Sequence, residues 1–78
     1  MPPPRMTPVR SSAVARVGYD ALARELHVAY VREHPWAVER TYVYSDVPAR
    51  IHRELLAADS VGAFVNREVK PRFHAREL

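Results

Sequence analysis

Three kinds of side chain in this sequence have chemistry to offer, and the first is cationic. Arg67, Lys70 and Arg72 lie close together near the C-terminal end. Guanidinium and ammonium groups at that spacing suit a phosphate backbone. Arg67 and Lys70, three apart on a helix, would point the same way, and Arg72 would follow once Pro71 ends the helix. The same cations would also complement the negative end of a helix dipole, so a purely structural role stands beside the binding one. The second kind is aromatic. Tyr42 and Tyr44 share one face of a strand, where they either stack on unpaired bases or fill a core with their hydroxyls at its edge. Core placement is favoured, because amphipathic helices downstream need a face to cover. The third is Trp36, in a connection beside His34 and Pro35, where an exposed indole would anchor a partner.

Other chemistries find less support. His27, His34, His52 and His74 are scattered through the chain with no helical i, i+4 pair, so no metal ligand set is assigned. Ser11, Ser12, Asp46 and His52 supply the residue types of a hydrolytic triad, but a triad is recognised by geometry rather than by presence. Gly18 and Gly62 are the only glycines, too few for a phosphate-cradling loop. No catalytic residue and no cofactor is expected. Ser11 and Ser12 are expected to bond the backbone at the start of the first strand, and Asn66 to serve a neighbouring backbone.

The balance of charge is mildly basic, +3 overall, and every cation except Lys70 is arginine. Positions 67–76 concentrate the excess, with Arg67, Lys70, Arg72 and Arg76 against Glu68. That is a patch able to attract an anion rather than a polybasic tail. A chain of 78 residues that is 47% hydrophobic makes one small globular domain. It has no cysteine, so no disulfide staples it, and a homodimer or a partner surface is expected to help. Residues 1–8 hold four of the seven prolines and read as a disordered leader. They lack the apolar stretch of a signal peptide, and no segment reads as a membrane span. A cytoplasmic protein without membrane contact is expected.

The elements that would carry these side chains follow from periodicity. Ala13, Ala15, Val17 and Tyr19 alternate as one strand face, with Gly18 marking a bulge near its end. Asp20 opens a turn by bonding the backbone ahead of it. Leu26, Val28 and Tyr30 form the apolar face of a second strand, interrupted at His34-Pro35. A third strand covers roughly residues 38–44. After Asp46 the period lengthens to that of a helix. Val47, Ile51 and Leu55 make one stripe, Asp59-Ser60 break it and cap the next, and Val61, Phe64, Val65 and Val69 make a second stripe ended by Pro71. The expected architecture is α+β: a three-stranded antiparallel meander with two short C-terminal helices packed on one face. Leu26, Val28, Tyr30, Tyr42 and Tyr44 should then meet Ile51, Leu55, Phe64 and Val65. Such a meander leaves two free edges, one of which is expected to pair in a homodimer.

Read in order, Ser11-Ser12, Val17-Gly18-Tyr19-Asp20, Leu26-His27-Val28, Tyr42-Val43-Tyr44, Val47-Pro48, the run from Leu55 to Gly62, Phe64 and Asn66-Arg67 resemble the KTSC domain. That domain is named from the C-terminal extension of some lysyl-tRNA synthetases and also occurs as small stand-alone bacterial or phage proteins. The resemblance sets a domain over residues 9–74, with 75–78 a short tail. It carries a suggestion of RNA binding. Two features depart from the family's pattern. The Arg32–Ala37 connection is longer and bulkier than the usual glycine-containing turn, and Val65 stands where an aromatic is favoured.

Two function classes therefore stand open. One is a non-catalytic module for RNA, tRNA-like or single-stranded, bound through Arg67, Lys70 and Arg72. The other is a protein-interaction module that docks through a sheet edge or the Trp36 loop, with no nucleic acid involved.

Overall fold

The computed structural model describes residues 4–78. The leader expected over 1–8 therefore lies partly outside the described residues. Its last two residues are not loose. Thr7–Pro8 form strand β1, paired with Val17 and Arg16 of β2 (Val14–Asp20). Strands β3 (Glu25–Tyr30) and β4 (Thr41–Tyr44) follow. Helices α1 (Ala49–Ala57) and α2 (Val61–Phe64) come next, and α2 runs on into a π-helical turn over Val65–Val69. The chain then returns as β5 (Ala75–Glu77).

The sheet is antiparallel and ordered β1-β2-β3-β4-β5. It has five strands rather than three, which corrects the meander expected from periodicity. The two additions are both edges, and their residues are all exposed. A strand with no buried face carries no apolar alternation, so pattern alone does not reveal it. Backbone bonds make β5: Ser45 donates to His74 (2.9 Å) and Leu78 donates to Thr41 (2.9 Å).

Local chemistry sets the turns. Asp20 accepts from the amides of Leu22 and Ala23 (3.1 Å each), closing the β2–β3 turn while Arg24 takes a left-handed conformation. Ser11 Oγ accepts from Ala13 (3.1 Å) and Val14 (3.0 Å) and starts β2. Asp46, also left-handed, turns the chain from β4 toward α1; Asp and Asn tolerate that region better than most residues. Pro48 occupies the N-cap position of α1, and Ser60 caps α2 by accepting from Ala63 (3.2 Å).

One phase differs from the expected alternation. The register of β2 against β3 shifts between Val14 and Arg16, so Ala15 rather than Gly18 is the irregular residue. The bulge turns both Val14 and Val17 into the core. Gly18 serves close approach instead. A Cβ there would lie 2.7 Å from the Arg5 carbonyl oxygen and from Met6 Sδ, so the segment before β1 packs directly on its backbone.

The core is one layer deep. Val14, Val17, Leu26, Val28 and Tyr44 of the sheet meet Val47, Ile51, Leu55, Val61, Phe64, Val65 and Val69, with Tyr30 and Tyr42 packed at its edge. The reverse face buries Ala29, Val43 and His27. His27 lies between Gly18 and Val43 in register, with the Arg76–Glu25 pair (3.1 Å) at that face.

Leu55→Ala should cost about 2–5 kcal/mol, since the leucine is wholly enclosed. Denaturant unfolding that shows less than about 1 kcal/mol would mean the layer collapses around the gap. Burial lowers the His27 pKa from 6.5, opposed by Glu25 and Asp20 and aided by Arg76. The unfolded chain then binds the proton more readily. Stability should be fully present above about pH 6.5 and decline as pH falls below it. Melting curves between pH 7.5 and 5.5 should show this, with a flatter profile for His27→Gln.

Candidate functional site

Where β3 and β4 leave the core, their aromatic face continues into an open groove of about 710 Å³. Its wall is Tyr30, Tyr42 and Tyr44, and Arg32, Arg40 and Lys70 stand around it. The tyrosines are positioned by strand register and fixed by one another. The Tyr30 and Tyr44 hydroxyls share a 2.8 Å hydrogen bond. Tyr30 and Tyr42 meet edge to face, with centroids 5.7 Å apart and planes at 75°. Burial and the Tyr44 hydroxyl raise the Tyr30 pKa far above the ordinary tyrosine range, so the ring stays neutral.

Lys70 ends the π-helical turn, its amide donating to Val65 O (2.9 Å) five residues back. A turn of that width is uncommon and recurs at functional positions. From it the ammonium reaches over the Tyr30 ring, 5.2 Å from the centroid, a cation–π distance. Arg67 and Arg72 do not join it. Both pair with Glu68, Arg67 Nε at 3.2 Å and Arg72 at 3.1 Å. The single cationic face expected of the three is thus divided: two arginines share a carboxylate and the lysine turns to the tyrosines. Asn66 is exposed.

The connection between β3 and β4 forms the mouth of the groove. Tyr30 N donates to Arg40 O (2.9 Å), closing its stem. Arg32 donates to Pro35 O (3.3 Å), and Ala37 N to His34 O (3.0 Å). At its tip Trp36 is 81% exposed and lies against His34, centroids 4.4 Å apart. Val38 is 84% exposed beside it. Of the other residues singled out from sequence, Tyr44 is 3% exposed, Tyr42 is half-buried, and Leu55 and Phe64 lie in the core cluster.

Sequence reasoning missed Arg32 and Arg40. Both lie in the β3–β4 connection, which closes at Tyr30 and Arg40 and so sets its cations around the groove. That was the signal available. The triad-type residues do not converge on one another: Ser11 bonds the backbone, and His52 stacks on Tyr19 with centroids 5.3 Å apart. Among the described residues, no group of three His, Asp or Glu side chains is placed to hold a metal ion, and no helix is long and apolar enough to cross a membrane.

The KTSC domain family model matches residues 10–73. The chain belongs to the KTSC domain family. A protein of Tsukamurella paurometabola is 43% identical over 73 residues, covering 94% of this chain and all of that protein. The crystal structure of a KTSC domain protein from Yersinia pestis superposes with a TM-score of 0.83 at 31% identity, covering 95% of this chain and 96% of that one. The KTSC match takes in the tyrosine wall, the connection and Lys70, and stops short of β1 and β5.

The shared hydroxyl bond yields a thermodynamic cycle. Tyr30→Phe should destabilise by about 1–3 kcal/mol, because it leaves the enclosed Tyr44 hydroxyl without a partner. Adding Tyr44→Phe should recover most of the loss. Denaturant titration of the three variants measures it, and additive losses would show that the bond carries no coupling.

Proposed function

We propose that this KTSC domain is a small non-catalytic module that binds RNA, taking a single strand along the tyrosine-walled groove. The observation that supports this most is the placement of Lys70 over Tyr30 in a groove that Arg32 and Arg40 also line, with Trp36 exposed on the connection that forms its mouth. Cations that track a backbone beside rings that stack on bases are the combination single-strand binders use. Trp36 and the exposed part of Tyr42 offer the stacking surface; Tyr44 is enclosed and serves the core. Arg67 and Arg72 take a secondary role here, because Glu68 already neutralises part of their charge. The chain's lack of cysteine suits the cytoplasm, where such a partner would be met.

A protein partner is the second reading, and the exposure of Trp36 with Val38 favours it. It would dock on the loop. Edge pairing, whether with a partner or with a second copy, ranks lower: β1 has two residues, one of them Pro8, and β5 has three.

Fluorescence anisotropy with a single-stranded RNA oligonucleotide at several salt concentrations separates the readings. Contact with about three phosphates should give a log–log salt slope near −2. Lys70→Gln with Arg40→Gln should flatten that slope, whereas Arg67→Gln with Arg72→Gln should change it less. Trp36→Ala should weaken binding by about 1–3 kcal/mol if a base stacks there. No binding at low salt would overturn the RNA reading, and a captured protein partner insensitive to salt would replace it.

A further inference from the structure

Glu77, at the end of β5, sits between a hydroxyl and a guanidinium. It pairs in register with Tyr42, so its side chain projects on the groove face of the sheet, while Arg76 lies on the other. The Tyr42 hydroxyl donates to Glu77 Oε1 (3.3 Å), and Arg40 Nε stands 4.0 Å from Oε2. Both contacts are loose and both charged side chains face solvent. Pairs of this kind contribute little to stability and open readily. Arg40 makes no closer ion pair among the described residues, in contrast to Arg16, Arg50, Arg67, Arg72 and Arg76. A hydroxyl donor and a guanidinium converging on one carboxylate form a receptor for an oxyanion, and a phosphodiester, with two non-bridging oxygens and one negative charge, presents the same acceptor set to those two donors.

We propose that the Arg40–Tyr42 corner is a phosphate subsite of the groove, and that Glu77 is an internal stand-in which a ligand phosphate displaces. The source of the phosphate rests on the RNA reading above. A row then runs from Lys70 over Tyr30 to Tyr42 and Arg40, with a cation at each end and aromatic edges between. Successive phosphates would meet the two ends. Glu77 belongs to β5, beyond the residues the family model matches, so the subsite's occupancy in the free protein depends on the pairing of that terminal strand with β4.

The test is Glu77→Gln, which keeps the strand's backbone bonds and an acceptor for Tyr42 while removing the charge. Thermal unfolding establishes that the variant is folded. Two probes are titrated against wild type and variant: a single-stranded RNA oligonucleotide and inorganic pyrophosphate, followed by NMR shifts of Arg40 and Lys70. Tighter binding of both probes by about two- to five-fold, with an RNA salt slope steeper by about 0.7, is the expected result. If pyrophosphate tightens at Arg40 while RNA binds neither protein, the subsite stands and the RNA reading falls. If RNA binds both proteins equally, the subsite is overturned and the RNA reading stands. Binding of neither probe to either protein overturns both.

Discussion

A chain of 78 residues can seal one apolar layer, and the burial of Leu26, Val28 and Tyr44 beneath Ile51, Leu55, Phe64 and Val65 is that layer. Most other features serve it. Asp46 accepts a left-handed backbone so that the chain doubles back over the sheet it has just left. The bulge at Ala15 brings both Val14 and Val17 to the covered side. The π-helical turn keeps both Val65 and Val69 inside, and its extra width sets Lys70 down at the open end of the sheet. Sealing the layer therefore also places a cation on the groove. The same residues that stabilise the fold orient the candidate site, so losses at either will be hard to separate without a stability control.

The reverse face is held differently. Its buried members, His27, Ala29 and Val43, have no helix above them. The Arg16–Glu39 and Arg76–Glu25 pairs span this side, and the backbone of Arg5 and Met6 presses on Gly18. Long arginine stems shield apolar surface while keeping their charge in water, which suits a chain too short for a second layer. A buried imidazole there makes the face sensitive to acid.

How much of this could be read in the sequence varied with the physical signal. The change from a period of two to that of a helix after Asp46 located α1, α2 and the stripe of Ile51, Leu55, Phe64 and Val65, because burial writes itself into spacing. Asp20 and Ser60 were legible as a turn former and a cap because a short polar side chain there has one clear partner. Strands β1 and β5 were not, since both are held by backbone bonds and bury nothing. The division of the basic cluster was hidden for a related reason. Helical spacing puts Arg67 and Lys70 on neighbouring positions, but a π turn departs from that spacing, and Glu68 draws the two arginines to itself. Arg32 and Arg40 lie in the β3–β4 connection, which carries no periodicity, and only its folded course brings both to the groove.

The choice posed by the tyrosines, core or platform, has a graded answer along one surface. Tyr44 is enclosed, Tyr30 and Tyr42 are half-buried, and Trp36 is almost free. Phenylalanine could fill the inner positions equally well, so packing does not require the hydroxyls. Each hydroxyl has a partner of its own: Tyr44 meets Tyr30, and Tyr42 directs its hydroxyl to Glu77 at the sheet edge. Each ring thus has an apolar body that belongs to the layer and a polar tip that belongs to the groove. A row of this kind lets a domain with a single core extend its aromatic face into an open groove. The register that packs Tyr44 beneath the helices also sets Tyr42 beside Arg40 and Glu77. Lys70, resting on the Tyr30 face, joins the last turn of the helical segment to that same row, so the buried layer that packs the C-terminal helices also delivers a cation to the groove.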